Sequence, residues 1–322
     1  MPLASIRSLV HSDLEATDNF ICTELQSDIP YINALIEYIL KAGGKRIRPL
    51  LVLLTARACN HQHKQHIDLA AAIELVHTAT LLHDDVVDGS TLRRGRETAN
   101  TIWGNQSSVL VGDFLYSRAF QLIVKLANLN ILNIFASATN LIAEGEILQL
   151  LNRNEPDTTE AAYFEVIQRK TAKLFEVAAQ TGAVLSAENT QQISAMQEYG
   201  LQLGIAYQLI DDALDYHSST EEMGKNIGID LAEGKPTLPL IHAMRKGTPA
   251  EVKLIRKAIK HGSVKDLDSI IAIIESTKAI EYTADAAKRH AQQSQAALAH
   301  IPDTPYRQAL HDLTAFVVER SY

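Results

Sequence analysis

The stretch IFASATNLIAEGEILQLL, residues 134–151, decides the fold class. Its apolar side chains at Ile134, Ala138, Leu141, Ile142 and Leu148 recur at helical intervals, marking one helix face rather than the alternation of a strand. The same period runs through most of the chain, and helix-start signals accompany it. Ser12 with Glu15, and Thr248-Pro249 with Glu251, both have capping-box spacing, and Thr304-Pro305 reads as a further start. There is no sustained period-two alternation with hairpin turns. The expectation is an all-α fold. Glycine (15) and proline (9) do not gather into a linker, so a single domain over residues 1–322 is expected.

Composition narrows the function classes. Apolar residues make up 46% and charged residues 21%, the balance of a water-soluble globular chain. A formal charge of −8 argues against nucleic-acid binding, which needs a basic face, but leaves room for a local basic pocket. Only Cys22 and Cys59 are present, so neither a disulfide framework nor a cysteine metal cluster is expected. No signal-peptide pattern is seen, and no apolar run approaches the ~20 residues of a membrane span. A cytoplasmic location is the expectation.

Chemistry concentrates in two echoing pentapeptides, DDVVD at Asp84–Asp88 and DDALD at Asp211–Asp215. On a helix, Asp84 and Asp88 project the same way with Asp85 beside them, and Leu81, His77 and Glu74 continue the stripe backwards. Gln208, Asp211, Asp212 and Asp215 likewise sit at i, i+3, i+4 and i+7, while Tyr199, Leu203, Ala206, Ile210 and Leu214 supply that helix with apolar surface. Like charges one turn apart repel, so an offsetting cation is expected. Carboxylate oxygens alone suit a hard ion such as Mg2+, whereas zinc would want more His or Cys. A single DDxxD would more simply be a solvated acidic face; two of them in apolar helices, each followed by basic residues, are not.

Basic groups follow the acids. GGKRIRP, residues 43–49, carries Lys45, Arg46 and Arg48 on a glycine-led turn entering a helix. Arg93 and Arg94 follow the first pentapeptide, Lys170-Thr171 interrupts the amphipathic FEVIQRKTAKLFEVAA, and Lys225 and Lys235 follow the second pentapeptide in the irregular stretch 217–236. Arginine and lysine bind phosphate through charge-assisted hydrogen bonds.

Taken in order, GGKRIRP, HTATLLHDDVVD with RRG, KTAKLFE, YQLIDDALDY and GKNIG with EGKPTLPL resemble the trans-isoprenyl diphosphate synthase family, from about residue 43 to 240, and most resemble its bacterial long-chain members that make ubiquinone side chains. The resemblance implies antiparallel helices around a central cavity and a homodimer. It implies that Asp84 and Asp88, with Asp211, ligate Mg2+ on an allylic diphosphate such as farnesyl diphosphate, supported by Asp85, Asp212 and Asp215. It implies that Arg93, Lys170, Thr171, Gln208, Lys225 and Lys235 hold that diphosphate, and that Lys45, Arg48, His77 and Arg94 hold isopentenyl diphosphate. Glu97 and Ile229 depart from the family pattern without replacing a charged ligand.

Val76, Ala79 and Thr80 lie upstream of Asp84 on the same helix. In the family a bulky aromatic there stops chain growth, so the small Ala79 and Thr80 imply a deep tunnel and a C40 or C45 product. Other readings differ in kind: a shorter-chain synthase, a phosphohydrolase using a His83-Asp84 dyad, a terpene cyclase, or a non-catalytic helical subunit.

Overall fold

A computed structural model describes residues 3–41, 43–186, 189–216 and 227–319. The fold is all-α as expected. In chain order the helices are α1 (Leu3–Ser8), α2 (His11–Glu24), α3 (Pro30–Lys41), α4 (Ile47–Ala58), α5 (Gln65–Val87), α6 (Ala99–Trp103), α7 (Asn105–Lys125), α8 (Leu129–Asn152) and α9 (Glu160–Ile167). A π-helical segment, Gln168–Ala172, leads into α10 (Lys173–Val184), followed by α11 (Thr190–Leu214), α12 (Ile229–Ala232), α13 (Leu238–Lys246), α14 (Pro249–His261), α15 (Leu267–Ser276), α16 (Ala279–Ala297) and α17 (Pro305–Val318).

The chain groups into two compact units. The first comprises the described residues of Met1–Ala136, Val177–Gln197 and His300–Leu310. Its centre is α4, whose IRPLLVLLTARA is apolar nearly all round and accordingly buried on every side. In the same unit α5 packs along α7, where a Cβ on Gly112 would strike the His83 ring. Cys59 is buried, its thiol pushed up to about 12 by burial, while Cys22 on α2 is exposed.

The second unit comprises the described residues of Ser137–Glu176, Glu198–Ala299 and His311–Tyr322. It has two apolar clusters. One joins Tyr163, Ile167 and Ala172 to Ile205 and Leu209 of α11. The other joins Tyr216 and Leu231 to Leu240, Ile255, Ile259 and Ile270 of the later helices, which thus pack beneath the end of the second aspartate pentapeptide.

Local signals fare unevenly. Thr248 caps α14 with both capping-box hydrogen bonds formed, and α17 begins at Pro305 after Thr304. The Ser12 box does not form: α2 begins at His11 behind Val10, because α1 ends immediately upstream and Ser12 already lies inside the helix. The buried stripe of α8 is Ile131, Phe135, Ala138 and Ile142, with Ile134, Leu141 and Leu148 only half-buried at its margins.

Two features lie outside what the sequence patterns announced. Helix α8 is long and apolar enough to cross a membrane by length and composition, and a minority of its apolar window is buried. Scattered Asn, Ser and Thr interrupt its apolar run without making the helix polar on average. A short hairpin also exists: Leu92–Arg93 pairs antiparallel with Arg96–Glu97 around Arg94 and Gly95, both at positive φ (54° and 73°), the signature of a type I′ turn. Four paired residues are too few to show period-two alternation.

Candidate active site

In the first unit the motifs converge on one open pocket of about 680 Å³, including its mouth, which is room for a small diphosphate. His77, Arg93, Arg94, Arg46, Glu74 and Asp85 are among its lining residues. They come from three sources: the turn before α4, the middle and end of α5, and the 92–97 hairpin.

Helix α5 runs to Val87 with Asp88 as its cap residue, so the first pentapeptide occupies a helix end. Its three acids differ. Asp84 and Asp88 are half-buried, whereas Asp85 is buried. Burial pushes the Asp85 carboxyl up, and the Arg93 guanidinium, donating from Nε at 2.9 Å, pulls it back.

Arg94 lies against the glycine-led turn. It donates through Nη1 to the Gly43 carbonyl, and a Cβ on Gly44 would sit 2.7 Å from that nitrogen. The second glycine of GGKRIRP thus makes room for Arg94. His77 accepts from, or donates to, its neighbour according to tautomer; Arg48 has no acceptor, so Arg48 Nη1 donates to His77 Nε2 at 3.0 Å and the imidazole presents a lone pair there. Burial pushes His77 well below its ordinary value, reinforced by Arg48 and Arg94, so the ring is neutral. Lys45 is exposed on the turn, and its carbonyl accepts from Arg7 Nη1 at 3.1 Å.

Of the tunnel candidates, Val76 and Ala79 are fully buried and Thr80 is half-buried, its hydroxyl donating to the His77 carbonyl at 2.8 Å. His83 is turned to α7, 3.2 Å from the Val109 carbonyl and 3.4 Å from Asp113. This is not the posture of a metal dyad with Asp84, and it removes the support for a phosphohydrolase.

In the second unit, Thr171, Gln208 and Asp212 form a hydrogen-bonded chain. Thr171 donates to Gln208 Oε1 at 2.9 Å, Gln208 Nε2 donates to Asp212 Oδ1 at 2.6 Å, and Tyr163 donates to Asp212 Oδ2 at 2.5 Å. Asp212 is buried and its carboxyl is pushed up to about 7 by burial, against the two donors. Asp211 and Asp215 are half-buried. Asp215 accepts the backbone N–H of Ile229 at 3.1 Å and of Asp230 at 3.0 Å, so it pins the start of α12. The middle acid of each pentapeptide is buried and held by side chains, while its neighbours are more accessible.

Lys170 and Thr171 sit in the π-helical segment, a widened turn common at functional sites. Two glycines admit it: a Cβ on Gly145 would lie 2.7 Å from the Lys170 nitrogen, and one on Gly204 would lie 2.6 Å from the Ala172 Cα. Lys170 Nζ reaches Glu146 at 2.5 Å and Gln149 at 2.8 Å. Lys235 Nζ reaches Glu233 at 2.5 Å, and its N–H donates to the Asp230 carbonyl at 2.8 Å. The expected irregular stretch therefore contains a short helix, α12, while Lys225 lies outside the described residues.

Tyr163, Gly145 and Gly204 escaped the sequence reading, since nothing local relates them to residues dozens of positions away. Arg46 and Glu74 were visible but unassigned. A lone glutamate in the apolar run LAAAIELVHT already requires a buried partner.

Among the described residues no group of three or more His, Cys, Asp and Glu closes on a metal-sized space. Within each unit the exposed chemistry nevertheless suits a hard divalent cation: Asp84 and Asp88 in the first, and Asp211 in the second, offer only carboxylate oxygens, and Mg2+ commonly takes one or two of these with water and phosphate completing its shell.

Residues 29–274 match the family described as polyprenyl synthetase. The chain belongs to that family. As a polyprenyl synthetase it is a prenyltransferase, and its likeness to relatives extends over nearly its whole length. It is 48% identical over 323 residues to an octaprenyl diphosphate synthase of Haemophilus influenzae, covering 100% of this chain and 98% of the relative. It is 45% identical to a geranyl-diphosphate-specific all-trans-nonaprenyl-diphosphate synthase of Rhodobacter capsulatus, covering 97% and 96%. Among solved structures, a polyprenyl synthase of Caulobacter crescentus, complexed with calcium and isoprenyl diphosphate, superposes with a TM-score of 0.95 at 43% identity, covering 100% and 98%.

Proposed function

We propose that this chain is an all-trans long-chain polyprenyl diphosphate synthase, adding isopentenyl diphosphate units to an allylic diphosphate such as farnesyl diphosphate to give a C40 or C45 product for quinone side chains. The observation that carries the reading is the pocket in the first unit. Guanidinium groups and a neutral histidine line it together with Asp85 of the DDxxD helix end, and full-length likeness to octaprenyl and nonaprenyl synthases supports the same assignment.

In this reading Lys45, Arg48, His77 and Arg94 bind isopentenyl diphosphate. Arg93, Lys170, Thr171, Gln208, Lys225 and Lys235 bind the allylic diphosphate. Asp84, Asp88 and Asp211 hold Mg2+, which when bound offsets the negative charge of the diphosphate leaving group. A divalent cation accompanies the Caulobacter crescentus relative, in line with that role.

The chain's own residues do the rest. Asp85 holds Arg93, Asp212 holds Gln208, and Gln208 accepts from Thr171, so the phosphate-binding groups are oriented before substrate arrives. Arginines that never lose their charge stabilise the departing diphosphate. No protein nucleophile is needed: the allylic C–O bond breaks as diphosphate leaves, the double bond of isopentenyl diphosphate attacks the allylic carbon, and the resulting cation loses a proton to restore a double bond. Neutral His77 adds no further charge beside the arginines and can still hydrogen-bond. Val76, Ala79 and Thr80 line the path of the growing chain. Residues 1–322 act as one catalytic domain of a cytoplasmic homodimer, consistent with exposed Val109, Leu110 and Val124 along α7.

Incubation of the purified chain with Mg2+, labelled isopentenyl diphosphate and farnesyl diphosphate, followed by mass analysis of the lipid, tests this. A C40 or C45 all-trans diphosphate is expected, with none formed in excess EDTA. Products stopping at C15 or C20 would assign a shorter-chain synthase, and release of inorganic phosphate alone would overturn the reading.

A further inference from the structure

Arg46 is the residue before α4 and has φ 49°, a left-handed conformation that a non-glycine residue rarely holds without outside support. The support is visible. Arg46 Nη1 donates to Glu74 Oε1, and Arg46 Nε lies 3.7 Å from Asp18 on α2. The guanidinium is largely enclosed and the Glu74 side chain more so, at 16% and 10% exposure. Glu74 is thus a carboxylate placed inside a pocket that also presents Arg46, Arg93, Arg94 and Arg96, where it would repel a diphosphate if charge alone mattered. Burial pushes its carboxyl up, and Arg46 is the strongest influence pulling it back.

The turn so held is the one that matters. Lys45 precedes Arg46, Arg48 follows two residues later with its Nη1 on His77, and Arg94 rests on the Gly43 carbonyl. We propose that Glu74 and Arg46 are positioning residues: Glu74 locks Arg46 in the left-handed conformation, and the locked turn presents Lys45, Arg48 and Arg94 to the diphosphate of the non-allylic substrate. This rests on the function proposed above. Arg46 itself does not bind the substrate in this scheme, which separates it from the arginines around it.

Backbone chemistry supplies the test. Glycine adopts positive φ without strain and alanine does not. Arg46→Ala should therefore raise KM for isopentenyl diphosphate roughly tenfold or more with kcat and the allylic KM little changed, and Arg46→Gly should recover most of that loss. Glu74→Gln should also raise that KM, whereas a carboxylate acting only by its charge would lower it on removal. Equal impairment in Arg46→Ala and Arg46→Gly would make the guanidinium a substrate ligand and overturn the proposal, as would a KM unchanged or lowered in Glu74→Gln. Calorimetric titration with inorganic pyrophosphate reads the same turn without turnover, in the same order of affinities. If wild-type chain binds pyrophosphate but forms no prenyl product, the functional reading fails while the Ala-versus-Gly comparison still decides the role of the turn. Should Glu74→Gln melt before assay, the two Arg46 variants carry the decision alone.

Discussion

One carboxylate oxygen of Asp85 lies 2.9 Å from Nε and 2.8 Å from Nη2 of Arg93. The acid is almost wholly enclosed while the guanidinium remains partly open to solvent, so the pair fixes the arginine's root and leaves part of it at the pocket. Asp85→Asn keeps the shape and removes the charge. We expect kcat/KM for the allylic substrate to fall about 10- to 100-fold, since charge-assisted hydrogen bonds contribute about 1.5–3 kcal/mol, and the melting temperature to fall by a few degrees as the enclosed pair is broken. Steady-state kinetics beside a thermal melt would check this; unchanged kcat/KM would mean that Arg93 is positioned without Asp85.

Gly204→Ala places a methyl 2.6 Å from the Ala172 Cα, against backbone rather than a flexible side-chain tip. The π-helical segment must shift, and with it the Thr171–Gln208 hydrogen bond. A loss of about 1–3 kcal/mol in stability is expected from overpacking, together with a raised allylic KM. Urea denaturation and kinetics on the same preparation would measure both.

The enclosed Ala79 sits just over one turn before Asp84 on α5. Replacing it with tyrosine should shorten the product ladder markedly and cost about 1–3 kcal/mol in stability. Mass analysis of the lipid decides the first point. A full-length product from a folded Ala79→Tyr variant would remove Ala79 from the tunnel wall.

His77 is held neutral by burial. Between its depressed folded value and the ordinary 6.5, the unfolded chain binds a proton that the native chain does not. Its contribution to stability is therefore present above that window and lost as pH falls through it. The stability difference between wild type and His77→Gln should grow in favour of wild type as pH rises from 5 towards 7, by up to about 1.4 kcal/mol per unit, and then level off. Subtraction cancels the other titrating groups. Denaturation curves at several pH values would show it, and a flat difference would mean that folding leaves the proton affinity of His77 unshifted.

What was legible in the sequence follows from how local each cause is. Thr248, Pro249 and Glu251 carry the start of α14 within four residues, and that helix begins as the pattern requires. The Asp85 and Asp212 neighbourhoods were legible as acids on helices, but not as buried acids, because the Arg93, Tyr163 and Gln208 contacts that hold them depend on the whole fold. The π-helical turn at Lys170 was visible only as an interruption. The room it occupies, left by the glycines at 145 and 204, is supplied by other helices. Ser12 failed as a cap because a neighbouring short helix already occupied the preceding residues, which pattern alone does not weigh.

The contrast between the two thiols has a practical side. Cys59 is inert until the chain unfolds, whereas Cys22 is open and lies one helical turn beyond Asp18, the acid that approaches Arg46. A maleimide fluorophore would therefore attach at a single native position, with no engineered handle, close enough to the 43–46 segment to signal ligand arrival there.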